Sequence, residues 1–313
     1  MKVVISKTPK MLGEYINGNY KVQIFEDGTR IKETLNPDDT FFKANFPDSC
    51  DIKITNYCEM NCPMCHENSS INGKHSNILL SSSIINNLHP YTELAIGGGN
   101  PLSHPDLIDF LKLLKEKKVI ANMTINYKHF IDNLSTINYL VNEGLVKGIG
   151  ISSNIIDEEL IYILEHYPNI VLHTINGLIT PENFQKLYNK SVKVLILGYK
   201  VFRRGEDEYK KNQEFIDKNK EWMYNNIADF IKRFKVLSFD NLALEQINVK
   251  RVISQEDWDL YYQGGDGQST MFIDMVEEHF AKSSISKKRY NLNSIQSLDE
   301  ALHIIQLEGD GIK

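Results

Sequence analysis

The distribution of apolar and polar residues divides the chain into a regular middle part and two less regular ends. From residue 50 to residue 240, short runs rich in Val and Ile alternate with longer segments that begin at capping residues such as Asp157 and Thr180. The runs predict strands at 51–57, 92–97, 119–125, 147–152, 170–175, 192–198 and 235–239. The segments between them predict helices at 81–89, 105–117, 129–143, 157–166, 181–189 and 211–233.

This alternation predicts a parallel sheet whose strands are joined by right-handed helical crossovers. The apolar runs are continuous, which predicts that helices bury both faces of the sheet. The fold class is therefore α/β, a partial (β/α) barrel of about six or seven parallel strands. We expect it to carry an N-terminal β-hairpin and a C-terminal extension.

The two ends show different patterns. Residues 14–35 predict a hairpin, because Asp27-Gly28 separates the alternating runs 20–25 and 30–34. After residue 240 a glycine-rich loop, a strand-like run at 270–276 and a terminal helix at 297–307 follow. We therefore expect three parts, described by their predicted structures: an N-terminal hairpin appendage (1–49), the barrel (50–240) and a C-terminal extension covering the barrel (241–313).

Composition and charge limit the kinds of molecule and compartment that we expect for this protein. Of the 313 residues, 42% are hydrophobic and 24% charged, which is typical of globular proteins, and the net charge of −6 offers no field that attracts nucleic acid. No run approaches the ~20 apolar residues of a membrane span, and the first residues do not resemble a secretion signal. Three of the four cysteines fall within eight residues, which cannot make a disulfide framework. We expect a cytoplasmic protein.

The most closely spaced candidate functional residues are in the segment Cys58-Glu-Met-Asn-Cys62-Pro-Met-Cys65, which directly follows the first barrel strand. Three thiolates on one loop can bind three irons of a cubic cluster and leave the fourth iron without a protein ligand. Structural zinc usually recruits a second pair of Cys or His ligands. Here Cys50 is predicted at the far end of the strand, as a buried thiol, and His66 adjoins a cysteine already in use. A non-catalytic module binding zinc or a regulatory iron–sulfur cluster is the alternative.

The C-x3-C-x2-C spacing resembles the cluster motif of the radical S-adenosylmethionine (radical SAM) superfamily. The segment Gly98-Gly99-Asn100-Pro101, after the second strand, resembles the Gly-Gly-Glu-Pro segment of that superfamily, with asparagine in place of glutamate. Asparagine keeps a carbonyl acceptor and loses the negative charge. The resemblance covers roughly residues 50–240.

The resemblance implies residue roles and cofactors. Cys58, Cys62 and Cys65 would ligate a [4Fe-4S] cluster. Residues that would bind SAM are Gly98, Gly99, Asn100, Ser152 and Asn176. Ser152 equally fits a turn that caps the next helix. Other polar residues predicted near the same mouth of the barrel, with roles left open, are His66, Lys200, Arg203, Arg204, Asp240 and Asp266.

The resemblance also implies an activity. The cluster would reductively cleave SAM to a 5′-deoxyadenosyl radical, which would abstract hydrogen from a small metabolite, a nucleotide or a peptide side chain. An electron donor such as flavodoxin or ferredoxin is implied as a partner.

Overall fold

In the computed structural model, residues 9–79, 84, 87–167 and 169–309 are described, and their strands form two sheets. The smaller, antiparallel sheet contains β1 (Met11–Asn17), β2 (Tyr20–Phe25) and β3 (Arg30–Thr34). The strands of the larger sheet are β4 (Ser49–Thr55), β5 (Glu93–Gly98), β6 (Ile120–Asn126), β7 (Gly148–Ser152), β8 (Ile170–Ile175), β9 (Lys193–Leu197), β10 (Val236–Phe239), β11 (Thr270–Asp274), β12 (His279–Ala281) and β13 (Tyr290–Asn291).

The larger sheet confirms the predicted fold class. Its order is β10-β9-β8-β7-β6-β5-β4-β11-β12-β13, and strands β4 to β10 are parallel neighbours in chain order. The sheet is open, with β10 and β13 at its two edges, so the barrel is partial. All seven predicted barrel strands are present.

The helices lie between the parallel strands and after them. They are α1 (Leu107–Glu116), α2 (Tyr127–Asp132), α3 (Leu134–Asn142), α4 (Glu158–His166), α5 (Pro181–Gln185), α6 (Arg204–Phe230), α7 (Asn241–Ile247), α8 (Gln255–Tyr261) and α9 (Leu298–Gly309). The segment predicted as one helix at 129–143 is two helices, because Asn133 leaves the helical conformation. The predicted helix at 81–89 falls mostly outside the described residues. No helix among the described residues is long and apolar enough to cross a membrane.

Burial alternates along four of the parallel strands, so the prediction that both faces of the sheet are buried was wrong for them, whereas β4 and β7 contain runs of consecutive buried residues. In β6, Met123 and Ile125 are buried against helices, whereas Asn122, Thr124 and Asn126 on the inner face are half-buried. Strands β5, β8 and β9 alternate in the same way. An open barrel need not fill its interior, so polar and small residues line it.

Both ends of the chain attach to the barrel more closely than the sequence indicated. Strand β1 adds a third strand to the predicted hairpin, and the buried carboxylate of Asp48 ties this sheet to the start of β4. Strand β11 pairs in parallel with β4, with Asp274 beside Lys53, so the C-terminal extension widens the sheet. The predicted domain boundaries within this continuous structure stay predictions.

Candidate active site

The three clustered cysteines lie on the loop that leaves the carboxyl end of β4, the edge at which parallel (β/α) folds place their sites. All three thiols are free and half-buried. Burial raises the pKa of the Cys62 thiol, and negative charge on Cys65 and Cys58 raises it further. The three sulfur atoms therefore lie close enough to interact electrostatically.

The spacing of possible metal ligands argues against one zinc ion bound by the three thiols. In the described part of the chain, the group whose ligand atoms all come within 4.8 Å of one another is Cys58, Glu59 and His129. Three thiolates around tetrahedral zinc, with Zn–S bonds of about 2.3 Å, would have sulfurs only about 3.8 Å apart. The three thiols are thus more widely spaced than one zinc ion would hold them. His66 is engaged elsewhere, since its Nε2 lies 3.2 Å from a Glu67 carboxylate oxygen.

A buried ion network holds the segment that follows the cysteines. Lys53 Nζ lies 3.0 Å from Glu67 Oε2 and 2.9 Å from Asp274 Oδ2. Burial opposes ionisation of Glu67, yet its contacts with His66 and Lys53 hold the pKa of that carboxyl below its usual range. The network joins the cysteine loop to β4 and β11. It escaped the sequence analysis, although the alternating segment Asp51-Ile-Lys-Ile-Thr55 signals a polar inner face.

Cations predicted as ligand-binding candidates contact the segment after the cysteines. Arg203 Nη1 donates to the backbone oxygen of Glu67 at 2.9 Å, and Arg204 Nη2 donates to that of Ser69 at 2.6 Å. Lys200 Nζ donates to Ser284 Oγ at 2.9 Å. These contacts give the three cations a structural role in holding the loop and the C-terminal extension.

The glycine segment packs against the backbone that enters the cysteine loop. The amides of Gly99 and Asn100 donate to the carbonyls of Thr55 and Tyr57, both at 2.7 Å. A Cβ atom added to Gly99 would lie 2.1 Å from the Tyr57 oxygen. The neighbouring Gly97, by contrast, has open space where its Cβ would be. Glycine at 99 is therefore required for close approach of the two loops.

Asn100 is buried, and both ends of its amide are engaged. Its Oδ1 accepts from Leu102 N at 3.2 Å and caps the short 3-10 helix Pro101–Ser103. Its Nδ2 donates to Glu59 Oε2 at 3.3 Å. The same Glu59 oxygen lies 3.2 Å from His129 Nε2. Glu59 and His129 were missed by the sequence analysis, because no local pattern marks a contact across 41 or 70 residues.

The other predicted SAM-binding residues are placed differently. Ser152 ends β7 and is half-buried at the same carboxyl edge as the cysteine loop. Asn176 is fully buried; its Nδ2 donates to Gln246 Oε1 at 3.2 Å, while its Oδ1 has no hydrogen-bond partner in the described residues. Both residues thus lie at the carboxyl edge, Ser152 half-buried at the end of β7 and Asn176 fully enclosed just after β8. Their roles stay predictions.

The remaining candidates have structural contacts. Asp240 caps α7 by accepting from Ala243 N at 2.7 Å, and it also accepts from Gly198 N at 2.9 Å. Asp266 accepts from Asn241 Nδ2 at 2.5 Å. Cys50 is buried, and burial raises the pKa of its thiol, as expected for an inert thiol.

The barrel interior holds a cavity of about 330 Å³ toward the amino ends of the strands. Inner-face residues of β5 to β9 line it, among them Asn122, Thr124 and His173, and the hairpin turn at Asp27 closes one side. Burial lowers the pKa of His173 to about 4, so its imidazole is neutral at neutral pH. The cavity is lined by apolar groups with several polar ones among them, and its volume is at the lower end of that of small-molecule sites.

The sequence that carries the cysteine loop matches a known protein family. A family model of the Radical SAM superfamily matches residues 52–202, which run from β4 to the loop before α6 and include all three clustered cysteines. Residues 52–202 are a radical SAM domain. This confirms the predicted superfamily for that part of the chain, and the members of that superfamily use SAM and an iron–sulfur cluster. No curated protein sequence matches the chain.

The radical SAM domain and its flanking segments resemble solved structures. SuiB of Streptococcus suis bound to S-adenosylmethionine superposes with a TM-score of 0.53 and 13% identity, covering 83% of this chain and 66% of that chain. SuiB bound to the precursor peptide SuiA gives a TM-score of 0.52 and 13% identity over 82% of this chain and 65% of that one. The chain thus spans just under two thirds of the length of these neighbours, and the likeness concerns the fold.

Proposed function

We propose that this radical SAM protein binds a [4Fe-4S] cluster through Cys58, Cys62 and Cys65 and uses it to cleave SAM reductively. The observation that carries the proposal is the placement of three interacting thiols on one loop, at the edge of a barrel with an open interior. When bound, the cluster and SAM supply a 5′-deoxyadenosyl radical that abstracts hydrogen from a substrate. An electron donor such as flavodoxin or ferredoxin would reduce the cluster.

The surrounding residues would hold the cysteine loop in one conformation. Lys53 and Arg203 fix Glu67, two residues after Cys65, while Gly99 allows the glycine segment to pack against Tyr57. These contacts hold the loop from both sides, as a site supported by its surrounding residues requires. Gly98, Gly99, Asn100, Ser152 and Asn176 remain the proposed residues around SAM.

The proposed substrate compartment is the mouth of the barrel at the carboxyl edge, beside the cysteine loop. The interior cavity lies toward the opposite ends of the strands and is not lined by the clustered cysteines or the glycine segment. A structural neighbour binds a precursor peptide, and this favours a peptide side chain among the substrates considered. We propose a cytoplasmic location, since free thiols at a reactive cluster require a reducing compartment.

Anaerobic reconstitution tests the proposal. Protein loaded with iron and sulfide should be brown, contain about four irons per chain, and release 5′-deoxyadenosine when given dithionite and SAM. Transfer of deuterium into 5′-deoxyadenosine from labelled candidate peptides and metabolites would then identify the substrate class.

A colourless protein that binds one zinc ion and leaves SAM intact would contradict the proposal. That result would favour the non-catalytic module, with Cys58, Glu59 and His129 as the zinc ligands that the structure brings together. A zinc ion bound there would use Cys58 as a ligand, so the protein cannot bind this zinc ion and the iron–sulfur cluster at the same time.

A further inference from the structure

Glu59, the residue after the first clustered cysteine, directs its carboxylate to a point where three segments meet. A carboxylate oxygen of Glu59, the sulfur of Cys58 and a ring nitrogen of His129 lie within 4.8 Å of one another. Asn100 Nδ2 donates to Glu59 Oε2 at 3.3 Å. The Glu59 side chain is 48% exposed, whereas that of His129 is 7% exposed. Two buried side chains therefore position a carboxylate that stays open to a ligand beside the thiols.

Asn100 itself cannot offer an acceptor at this point. Its Oδ1 accepts from Leu102 N, and its Nδ2 faces Glu59. Exchanging the two atoms would place the amide nitrogen against the N–H of Leu102 and the amide oxygen against a carboxylate, so both contacts fix the orientation. An ammonium group carries donors alone and requires acceptors. At this part of the site, Glu59 supplies the acceptor and the negative charge that Asn100 lacks.

We propose that Glu59 binds the α-ammonium group of SAM, in place of the glutamate for which Asn100 is substituted. The proposal rests on the proposed function, since it presumes that SAM binds beside the cysteine loop. Asn100 becomes a positioning residue, because its amide holds Glu59 while its oxygen caps the adjoining helix. A charge-assisted hydrogen bond of this kind discriminates between SAM and a ligand that lacks the amino group.

The test is equilibrium binding, measured by calorimetry on protein reconstituted to equal iron content. Glu59→Gln should weaken SAM binding about 10- to 100-fold. It should leave the affinity for an SAM analogue without the α-amino group unchanged, so that the preference for SAM disappears. Glu277→Gln is the matched control, because this exposed carboxylate accepts from Asn56 Nδ2 at 3.4 Å and should keep both affinities.

Two further variants keep the test decisive. Glu59→Asp should retain a preference for SAM, and the exchange Glu59→Gln with Asn100→Glu should restore it. Glu59→Gln protein that still prefers SAM as strongly as wild type would overturn the inference while leaving the proposed function intact. If neither Glu59→Gln nor the exchange variant takes up iron, Glu59 supports the cluster and the inference is wrong. Wild-type protein that takes up no iron and binds no SAM would overturn both proposals.

Discussion

Strand β4 has a cluster of buried charged and polar groups at each end, and the two clusters differ in how completely they are paired. At the amino end, Asp48 accepts from the hydroxyls of Tyr15 and Tyr20 and from Asn17 Nδ2, and it forms a 2.8 Å ion pair with Lys32. At the carboxyl end, buried polar atoms without a hydrogen-bond partner in the described residues include Asn56 Oδ1, Ser69 Oγ and Arg204 Nε.

This difference in pairing distinguishes a cluster that only stabilises the fold, the structural joint around Asp48, from a cluster that can bind a ligand. Buried polar atoms are nearly always paired, because an unpaired one costs about 1–3 kcal/mol. The Asp48 cluster pairs its atoms internally and fastens the small sheet to the barrel. The cluster around the cysteine loop leaves atoms unpaired beside three free thiols, as expected of a surface completed by a ligand. Mutations at the two ends should therefore affect stability and metal binding separately.

The largest expected effect is at the carboxyl end. Cys62→Ala should abolish the brown colour, most of the bound iron and the release of 5′-deoxyadenosine, because a loop with two thiolates cannot hold the cluster. The melting temperature of the metal-free protein should change little, since Cys62 is half-buried. Cys50→Ala is the control: it removes a buried thiol from the opposite end of β4 and should keep iron loading. Equal iron loss in both variants would contradict the assignment of the loop.

The next largest effect is at the amino end. Asp48→Asn leaves Lys32 without its buried counter-charge, and breaking such a pair costs about 3–5 kcal/mol of unfolding free energy. Urea denaturation measures this loss. Iron content per folded chain should stay that of wild type. Glu14→Gln on β1 is the control, because its ion pair with Lys21 is exposed and should contribute at most about 1 kcal/mol.

The sequence predicted one of these clusters better than the other. The cysteine loop was found because its thiols are neighbours in the chain and follow a Val/Ile-rich strand pattern. The Asp48 joint was not, since its contacts with Tyr15, Asn17 and Tyr20 join residues 28 to 33 positions apart, for which no local pattern exists. The pairing of β11 with β4 and the contact of Asp274 with Lys53 join residues 221 positions apart, for which no local pattern exists. The alternation of polar residues along β4 was a usable signal of the inner face.

A smaller effect is expected where the glycine segment meets the cysteine loop. Gly99→Ala would place a methyl group 2.1 Å from the Tyr57 oxygen, and the required shift of the loop should cost about 1–3 kcal/mol and reduce iron loading. Gly97→Ala, two residues away, meets open space and should keep both stability and iron content. Iron loading that falls equally in both variants would show that the close approach at Gly99 is not what shapes the loop.

The smallest effect is the part of the pH dependence of stability that Asp48 contributes at the amino end. Burial opposes ionisation of Asp48, but Lys32 and the hydrogen bonds from Tyr20 and Asn17 hold the pKa of its carboxyl below the usual value. The folded state therefore binds this proton less readily than the unfolded chain, in which the aspartate pKa is about 3.9. Its stabilisation is complete above that value and is lost as the pH falls below it toward the folded-state pKa. Urea denaturation of metal-free protein between pH 7 and pH 3 should show that wild type loses more stability on acidification than Asp48→Asn does. Parallel curves for the two proteins would mean that the Asp48 carboxylate does not supply the charge on which the joint depends.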